Sequence, residues 1–304
     1  MEIENVSFIG CGALGIMYAS HLLKTLEPNQ LRFIADQGRI ERYRDTEFFA
    51  NGVRQAFQFV APDADVPPSG LVIFTVKSYD LEDAIHLAKR HIGEGTIILS
   101  FLNGIQSEAT IGETYGSAMV IPSMVAGMDA TKTGHSVDYA HLGYVAFGAQ
   151  PGNDPQDLER LCRFLDRVRF PYEQQEDIRK TLWWKFMLNI GVNQASALLG
   201  APYGVFQRSP YARNLMLMGM QEACEVSQRL GIGLEEADID KAMRTIDTLS
   251  PEGKTSMLQD IEAHRPTEVD IFAGTLMKLA EEQGVSVPVN TFLYNAIKAL
   301  ETLS

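Results

Sequence analysis

The sequence predicts an α/β domain built on a parallel sheet, followed by an all-α domain. Through the first half of the chain, short apolar strand-like runs alternate with helical runs, which indicates a parallel sheet with helices on both faces. From about Pro155 onward the pattern is almost wholly helical. A glycine-rich turn at residues 10–15 joins the first strand to the first helix. We therefore predict two domains, residues 1–170 and residues 171–304.

The predicted elements follow one another in strand–helix order. Strands are predicted at VSFIG, LRFIAD, LVIFTVK, TIILSFLNG and AMVIPSMVAG, with helices between them. Residues 136–148 alternate as antiparallel strands do, and we expect them to add an edge to the sheet. In the second half, long helices are predicted that each end at a glycine. In the last of them, Pro266 is predicted to open the helix, with Thr267, Glu268 and Asp270 in its first turn.

Composition and charge narrow the class of partner. Hydrophobic residues make up 45% and charged residues 21% of the 304 residues, as in ordinary globular proteins. The formal net charge of −13 argues against nucleic acid and against anionic membrane surfaces as partners. We expect a small-molecule ligand instead. The oligomeric state is left open, with a homodimer as one option.

The cysteines and histidines indicate a reducing compartment and no metal site. Cys11, Cys162 and Cys224 are far apart and form no C-x-x-C pair, so a cytoplasmic protein is expected. No apolar run reaches the roughly 18 residues of a membrane helix, and the acidic N-terminus does not look like a secretory signal. The six histidines lack metal-ligand spacing, so no metal is predicted.

The glycine turn is the first candidate site. Gly10, Gly12 and Gly15 have G-x-G-x-x-G spacing between a strand and an apolar helix, the context of a Rossmann-type dinucleotide-binding loop. In such a loop the first glycine permits the sharp turn, the second lets the pyrophosphate approach, and the third lets helix and strand pack closely. The intervening residues are Cys11, Ala13 and Leu14. The alternative is a tight turn without a ligand.

The end of the second strand bears on the choice of cofactor. Asp36 follows the glycine loop by about 20 residues, where an acidic side chain binds the ribose hydroxyls of NAD. Arg39 and Arg42 come directly after it, and arginine near this strand end can receive the 2′-phosphate of NADP. A solvated helix face explains the two arginines equally well. The motif alone does not decide whether the cofactor is NAD or NADP.

A polar stripe on a long apolar helix is the second candidate site. Lys185, Asn189 and Asn193 are spaced at i, i+4 and i+8, so they share one helix face among apolar neighbours. Buried amine and amide groups need partners or line a cavity. The amine suits proton donation to a ketone oxygen, and the amides suit carboxylate or hydroxyl groups. The alternative is a purely structural role at a domain junction.

Four further residues are candidates from their positions. Lys77 and Asn103 come at the ends of predicted parallel strands, the edge where ligands of such sheets bind; a solvated strand end and an Asn-Gly turn are the alternatives. Ser256 and Glu268 fall in the segment TSMLQDIEAHRPTEVD. Helix capping is the alternative for Glu268.

Taken together, these segments resemble the ketopantoate reductase (2-dehydropantoate 2-reductase) family. The resemblance rests on GCGALG (10–15), VKSYD (76–80), LNGI (102–105), WWKFMLNIGVNQASAL (183–198), SMLQDIEAHRPTEVD (256–270) and AEEQGVSVPVN (280–290). It implies a Rossmann-type NADP-binding domain and a helical substrate-binding domain like the C-terminal domain of 6-phosphogluconate dehydrogenase. The implied activity is NADPH-dependent reduction of 2-dehydropantoate to (R)-pantoate, a step towards pantothenate and coenzyme A.

The resemblance also assigns roles to residues. Lys185 matches the family's proton donor, and Glu268 matches an acid beside the nicotinamide and the lysine. Asn103, Asn189, Asn193 and Ser256 match substrate-binding positions, and Lys77 matches a lysine on the cofactor side.

Two departures from the family pattern stand out. Asp36 occupies the place of the arginine that commonly holds the 2′-phosphate, so NADH is an alternative cofactor. Tyr203 stands where a polar side chain is common.

Rival interpretations are a reductase of another 2-oxo acid, a hydroxyacid dehydrogenase, or a dinucleotide sensor without catalysis.

Overall fold

The computed structural model describes residues 2–303, and the chain divides into two compact units. The first unit ends at Ile178 and the second begins at Arg179. The predicted fold class is confirmed, because a parallel sheet with helices comes first and a helical region follows.

The strands are β1 Val6–Ile9, β2 Leu31–Ile34, β3 Phe48–Ala50, β4 Val53–Gln55, β5 Phe59–Val60, β6 Leu71–Phe74, β7 Ile97–Ser100, β8 Ser123–Met128, β9 Thr131–Thr133, β10 Ser136–Asp138, β11 Leu142–Phe147 and β12 Tyr172–Gln174. The helices are α1 Ala13–Leu22, α2 Gln37–Tyr43, α3 Leu81–Ala88, α4 Ser107–Tyr115, α5 Pro155–Arg167, α6 Ile178–Leu199, α7 Tyr203–Arg208, α8 Pro210–Arg229, α9 Glu236–Thr248, α10 Ser256–Glu262, α11 Thr275–Gln283 and α12 Pro288–Leu303.

A five-stranded parallel sheet forms the centre of the first unit, in the order β5-β2-β1-β6-β7. Its inner strands are apolar along nearly their whole length because both faces are covered. On one face, Phe8 and Phe33 pack in a core that also contains apolar residues of α1 and α5. On the other face, Ile9 and Phe74 pack with residues of α3 and α4. The alternation of side chains along each strand produces these two cores.

The strand order fixes where a ligand of this sheet would bind. β1 lies between β2 on one side and β6 on the other, and both pair with it in parallel. The order therefore reverses next to β1, and crevices at such reversals, outside the carboxyl ends of the strands, are the usual ligand sites of open α/β sheets. The glycine loop leaves β1 at this edge.

Two expectations about the strands were wrong. Residues 136–148 add no edge to the parallel sheet, because β10 lies in a four-stranded sheet, β4-β3-β10-β9, and β11 in a three-stranded sheet, β12-β11-β8. Asp129 separates the two strands: its Oδ1 accepts hydrogen bonds from the amides of Ala140 and His141 and turns the chain between them. In addition, β12 is a strand within the region that was expected to be helical.

The helical unit is organised around α6. Close packing against α8 occurs at Gly191, where an added Cβ would lie 2.5 Å from Met220 Cγ. A buried polar network ties α6 to α8 and α12. Gln194 Nε2 donates to Asn290 Oδ1 at 3.0 Å, and Glu222 Oε2 accepts from Asn290 Nδ2 at 2.8 Å. Because these contacts fix the rotation of α6 about its axis, they also fix which side chains its other face presents.

The helix predicted to open at Pro266 begins later than expected. A π-helical turn, Asp270–Gly274, precedes α11, which starts at Thr275. The amide and the hydroxyl of Thr267 both donate to Glu301 Oε1, at 2.8 and 2.6 Å, and hold this stretch in an extended turn. Glu268 therefore does not lie in the first turn of α11.

Within residues 2–303, no helix is both long and apolar enough to cross a membrane.

Candidate functional site

The glycine loop is shaped by close contact between β1 and β6. Gly10 has φ of +109°, and an added Cβ there would lie 2.7 Å from the backbone of Thr75 and Val76. At Gly15 an added Cβ would lie 2.1 Å from Gly10 O. Both glycines are therefore required by the protein's own backbone.

Gly12 differs from its two neighbours in the motif. An added Cβ at Gly12 would meet only Thr75 O, at 3.9 Å, which is ordinary van der Waals contact. Packing does not require a glycine here, so the space beside Gly12 is open to a ligand. Gly12 is also the N-cap of α1, and no side chain caps this helix end. The first-turn amides, including those of Ala13 and Leu14, have no acceptor within the helix, and such amides at a helix start commonly form phosphate sites.

Asp36 follows β2, next to the glycine loop. Its carboxylate caps α2: Oδ1 accepts from the amide of Arg39 at 2.8 Å, and Oδ2 lies 3.5 Å from Arg39 Nε. Asp36 is half-exposed, and Arg42 is exposed on the same short helix. The carboxylate is thus already paired with one arginine, and a second arginine is close by.

Lys77 and Asn103 follow the next two strands of the sheet. Lys77 precedes a short 3₁₀ turn after β6, and Asn103 follows β7. Both side chains are half-buried and have polar partners. Because β1, β2, β6 and β7 are adjacent and parallel, all the predicted cofactor residues of the first unit lie along one edge of its sheet.

The polar stripe of α6 faces away from α8. Helical periodicity places Lys185, Asn189 and Asn193 on the side opposite Gly191, the residue that packs against Met220. Lys185 and Asn189 are half-buried, and Asn193 is 5% exposed. Neither asparagine side chain makes a hydrogen bond within the described part of the chain. Two amides with unused hydrogen-bonding capacity beside an amine suit a polar ligand.

Ser256 is held near the stripe by its neighbour. Thr255 Oγ1 donates to Ser196 Oγ at 3.1 Å, and Ser196 lies one turn beyond Asn193 on α6. Thr255 also caps α10, accepting from the amide of Leu258. These contacts hold the start of α10 against α6, and the exposed Ser256 is the first residue of that helix.

Glu268 is buried just before a π-helical turn that packs against α6. Its exposed fraction is 5%, and it has polar partners. The ring of Phe272, in the π-helical turn, lies 6.4 Å from the ring of Phe186. Phe186 directly follows Lys185 in sequence, so the π-helical turn that follows Glu268 packs against the same turn of α6 that carries the lysine. π-Helical turns occur often at functional sites.

Comparison with known proteins identifies the family. The models "Ketopantoate reductase PanE/ApbA" and "Ketopantoate reductase PanE/ApbA C terminal" match residues 6–152 and 177–301. The 2-dehydropantoate 2-reductase of Aquifex aeolicus is 30% identical over 237 residues, which are 76% of this chain and 76% of that protein. The chain belongs to the ketopantoate reductase family.

Other members and neighbours match nearly the whole chain. The 2-dehydropantoate 2-reductase of Archaeoglobus fulgidus is 26% identical over 303 residues, 99% of each chain. A D-mandelate dehydrogenase solved with NADH and anilino(oxo)acetate has a TM-score of 0.86 over 98% of this chain and 99% of that one, at 20% identity. The second similarity concerns the fold alone.

Two features of this ketopantoate reductase family member were missed in the sequence. Thr75 Oγ1 donates to Gly10 O at 2.7 Å and holds the glycine loop against β6. Threonine is common at strand ends, so its presence there does not indicate this role. The only available signal is that a glycine loop requires some side chain to hold it in place. The network of Glu222, Asn290 and Gln194 was also missed, although Gln194 directly follows Asn193.

Burial affects the titration of one residue of the glycine loop, Cys11. Burial raises the pKa of the Cys11 thiol to about 12, although the charge of Lys132 opposes that rise. Cys11 is therefore a neutral, weakly reactive group beside the amides at the start of α1. In residues 2–303 no cluster of three metal-ligating side chains is present.

Proposed function

We propose that this chain reduces the ketone of 2-dehydropantoate to the hydroxyl of (R)-pantoate, with a nicotinamide dinucleotide as hydride donor. The face of α6 that carries one amine and two amides, on a chain of the ketopantoate reductase family, is the observation that supports the proposal most strongly. The reaction is a step towards pantothenate and coenzyme A, and the proposed compartment is the cytoplasm. The proposed partners are a 2-oxo acid substrate and a dinucleotide.

The proposed roles follow from the chemistry of each side chain. Lys185, as an ammonium, donates a hydrogen bond to the ketone oxygen and then the proton that the new hydroxyl requires. Asn189, Asn193 and Ser256 bind the carboxylate and the hydroxyl of the substrate. Glu268 orients the amine of Lys185.

The residues of the first unit bind the dinucleotide in this proposal. The amides at the start of α1 bind the pyrophosphate, and Gly12 leaves room for it. Lys77 balances negative charge on the cofactor, and Asn103 contacts both the cofactor and the substrate. A bound nicotinamide supplies the hydride.

We propose that NADPH is preferred over NADH. Asp36 would repel a 2′-phosphate if its carboxylate were unpaired. It is instead engaged by the amide and guanidinium of Arg39, and Arg42 adds a further positive charge on the same helix. The formal charge of these three side chains is positive, which favours the phosphate.

A second candidate is reduction of a different 2-oxo acid. Tyr203 stands where the family commonly has a polar side chain, and burial raises its pKa. A larger, less polar group here would suit a smaller or less polar substrate side chain. Under this alternative Lys185 keeps its role and only the substrate changes.

The test is oxidation of NADPH and NADH in the presence of 2-dehydropantoate, with Lys185→Ala and the exposed-lysine control Lys278→Ala. We expect turnover with the native chain, faster with NADPH than with NADH. Lys185→Ala is expected to lower kcat by about 10²–10⁴-fold, and Lys278→Ala to leave kcat unchanged.

The outcomes separate the candidates. Near-native turnover by Lys185→Ala contradicts the role of the lysine. If the native chain oxidises a cofactor only with another 2-oxo acid, the second candidate replaces the first. If both cofactors bind and no 2-oxo acid is reduced, a dinucleotide sensor remains.

A further inference from the structure

We propose that Tyr294, Lys298 and Glu301, three side chains on one face of α12, position Glu268 for the reaction. We call this set the α12 clamp. The inference rests on the proposed function, in which Glu268 orients Lys185. None of the three clamp residues is assigned contact with substrate or cofactor, so they are positioning residues.

The α12 clamp holds the chain on both sides of Glu268. On the N-terminal side, Glu301 Oε1 accepts from the amide of Thr267 at 2.8 Å and from its hydroxyl at 2.6 Å. On the C-terminal side, the hydroxyl of Tyr294 donates to Asp270 Oδ1 at 2.8 Å, and Lys298 Nζ lies 3.3 Å from Asp270 Oδ2. The backbone is therefore fixed within two residues of Glu268 in each direction.

Lys298 joins the two sides of the α12 clamp. Its Nζ lies 3.0 Å from Glu301 Oε2 as well as close to Asp270. The spacing of Tyr294, Lys298 and Glu301 at i, i+4 and i+7 puts all three on one face of α12. One rigid helix thus sets the position of both anchor points.

The charge states agree with this geometry. Burial alone would raise the pKa of Glu301, but the two hydrogen bonds from Thr267 and the contact with Lys298 hold that pKa below its ordinary value. The hydrogen bond to Glu301 raises the pKa of Lys298. Glu301 is 17% exposed, so its contacts are screened less than those of an open surface pair.

Precise placement of Glu268 is needed because, in the proposed function, its carboxylate orients one amine, that of Lys185. The segment that follows Glu268 is a π-helical turn rather than a regular α-helix, so regular α-helical hydrogen bonding does not fix its geometry. The α12 clamp adds side-chain anchors on both sides of Glu268 to the backbone hydrogen bonds of this turn, which include Ile271 N to Glu268 O at 3.1 Å. A displacement of about 1 Å at such a group lowers turnover by up to roughly 100-fold.

The experiment is a double-mutant cycle on the full chain between Glu301→Ala and Glu268→Gln. Measurements are kcat and KM for 2-dehydropantoate, the dissociation constant for NADPH and the unfolding temperature. Glu301→Gln is the conservative variant, because its amide oxygen still accepts from Thr267. Glu282→Gln, at an exposed position of α11, is the matched control.

We expect Glu301→Ala to lower kcat by about 10- to 100-fold while the dissociation constant for NADPH is unchanged. Glu301→Gln should restore most of the activity. In the Glu268→Gln background, Glu301→Ala should lower kcat by less than about twofold, because the group through which it acts is already gone.

Three results would overturn the inference. Full additivity in the cycle would mean that Glu301 acts on something other than Glu268. Equal loss in Glu301→Gln and Glu301→Ala would mean that the hydrogen bonds to Thr267 do not matter. If Glu268→Gln alone keeps native kcat, the proposed role of Glu268 is wrong and the α12 clamp has nothing to position. In the first two cases Glu268→Gln remains impaired, so the proposed function stands without this inference.

Discussion

Replacing Gly12 by alanine is expected to weaken cofactor binding and leave the fold intact. Gly12 has φ of −85° and ψ of −164°, a backbone conformation that alanine adopts without strain. The added methyl meets only one protein atom, Thr75 O, at 3.9 Å. At Gly15 the same substitution would put Cβ 2.1 Å from Gly10 O. Gly15→Ala therefore serves as the comparison variant that disturbs the fold as well.

The two effects of Gly12→Ala on stability nearly cancel. Alanine is a poorer N-cap than glycine by up to about 1 kcal/mol. A glycine-to-alanine change also restricts the unfolded chain, which stabilises by about 0.4–1 kcal/mol. We expect the free energy of unfolding to change by less than about 0.5 kcal/mol.

The effect of Gly12→Ala on binding has no such compensation. In the proposed binding mode, the methyl group occupies the space through which a pyrophosphate reaches the amides of α1. Loss of one charge-assisted hydrogen bond costs about 1.5–3 kcal/mol, which raises the dissociation constant for NADPH by roughly 10- to 150-fold.

The assay is titration of the native chain, Gly12→Ala and Gly15→Ala with NADPH, followed by cofactor fluorescence, together with urea unfolding of each. Gly12→Ala should lose affinity alone, and Gly15→Ala should lose both affinity and stability. Native affinity for NADPH in Gly12→Ala would refute the reasoning, because no ligand would then use the space beside Gly12.

Two further predictions concern stability. Gly191→Ala should lower the free energy of unfolding by about 1–3 kcal/mol, because its Cβ would overlap Met220 and approach Met216 O to 2.9 Å. Urea unfolding beside the helical control Gly219→Ala, whose added Cβ meets nothing closer than 3.7 Å, checks this, and equal stability of the two variants would contradict it. His21 Nε2 lies 3.1 Å from two backbone carbonyls, and the pKa of His21 is lowered from 6.5 mainly by burial. Since the unfolded chain binds the proton more readily, the contribution of His21 to stability is present above pH 6.5 and is lost as the pH falls below it. The free energy of unfolding should therefore differ less between about pH 7 and about pH 5.5 in His21→Asn than in the native chain.

The sequence predicted the features that depend on local spacing. The glycine loop was predictable because contacts between adjacent backbone segments require glycine at positions 10 and 15. The two glycines therefore occur at a fixed spacing that can be recognised in the sequence. The stripe of Lys185, Asn189 and Asn193 was predictable for the same reason, since helical periodicity alone puts them on one face.

Features that depend on distant partners were not predictable. Thr75 anchors the glycine loop across 65 positions in the chain, and nothing near Thr75 indicates this role. Pro266 was placed at a helix start because its neighbours resemble a capping pattern. The acceptor that decides the local conformation is Glu301, which lies 34 positions away from Thr267. β12 was missed because its three residues gain their stability from pairing with β11 rather than from their own pattern.

If a pyrophosphate binds at the uncapped start of α1 as proposed, the lifetime of the protein depends on the supply of its cofactor. Amides at this helix end lack a side-chain cap, so a bound pyrophosphate stabilises the folded chain and has no counterpart in the unfolded one. At a cofactor concentration 100 times the dissociation constant, the added stability is about 2.7 kcal/mol. A cell depleted of the dinucleotide would hold a larger unfolded fraction of this enzyme, and proteases would remove it faster. Abundance would then follow cofactor level without any change in gene expression.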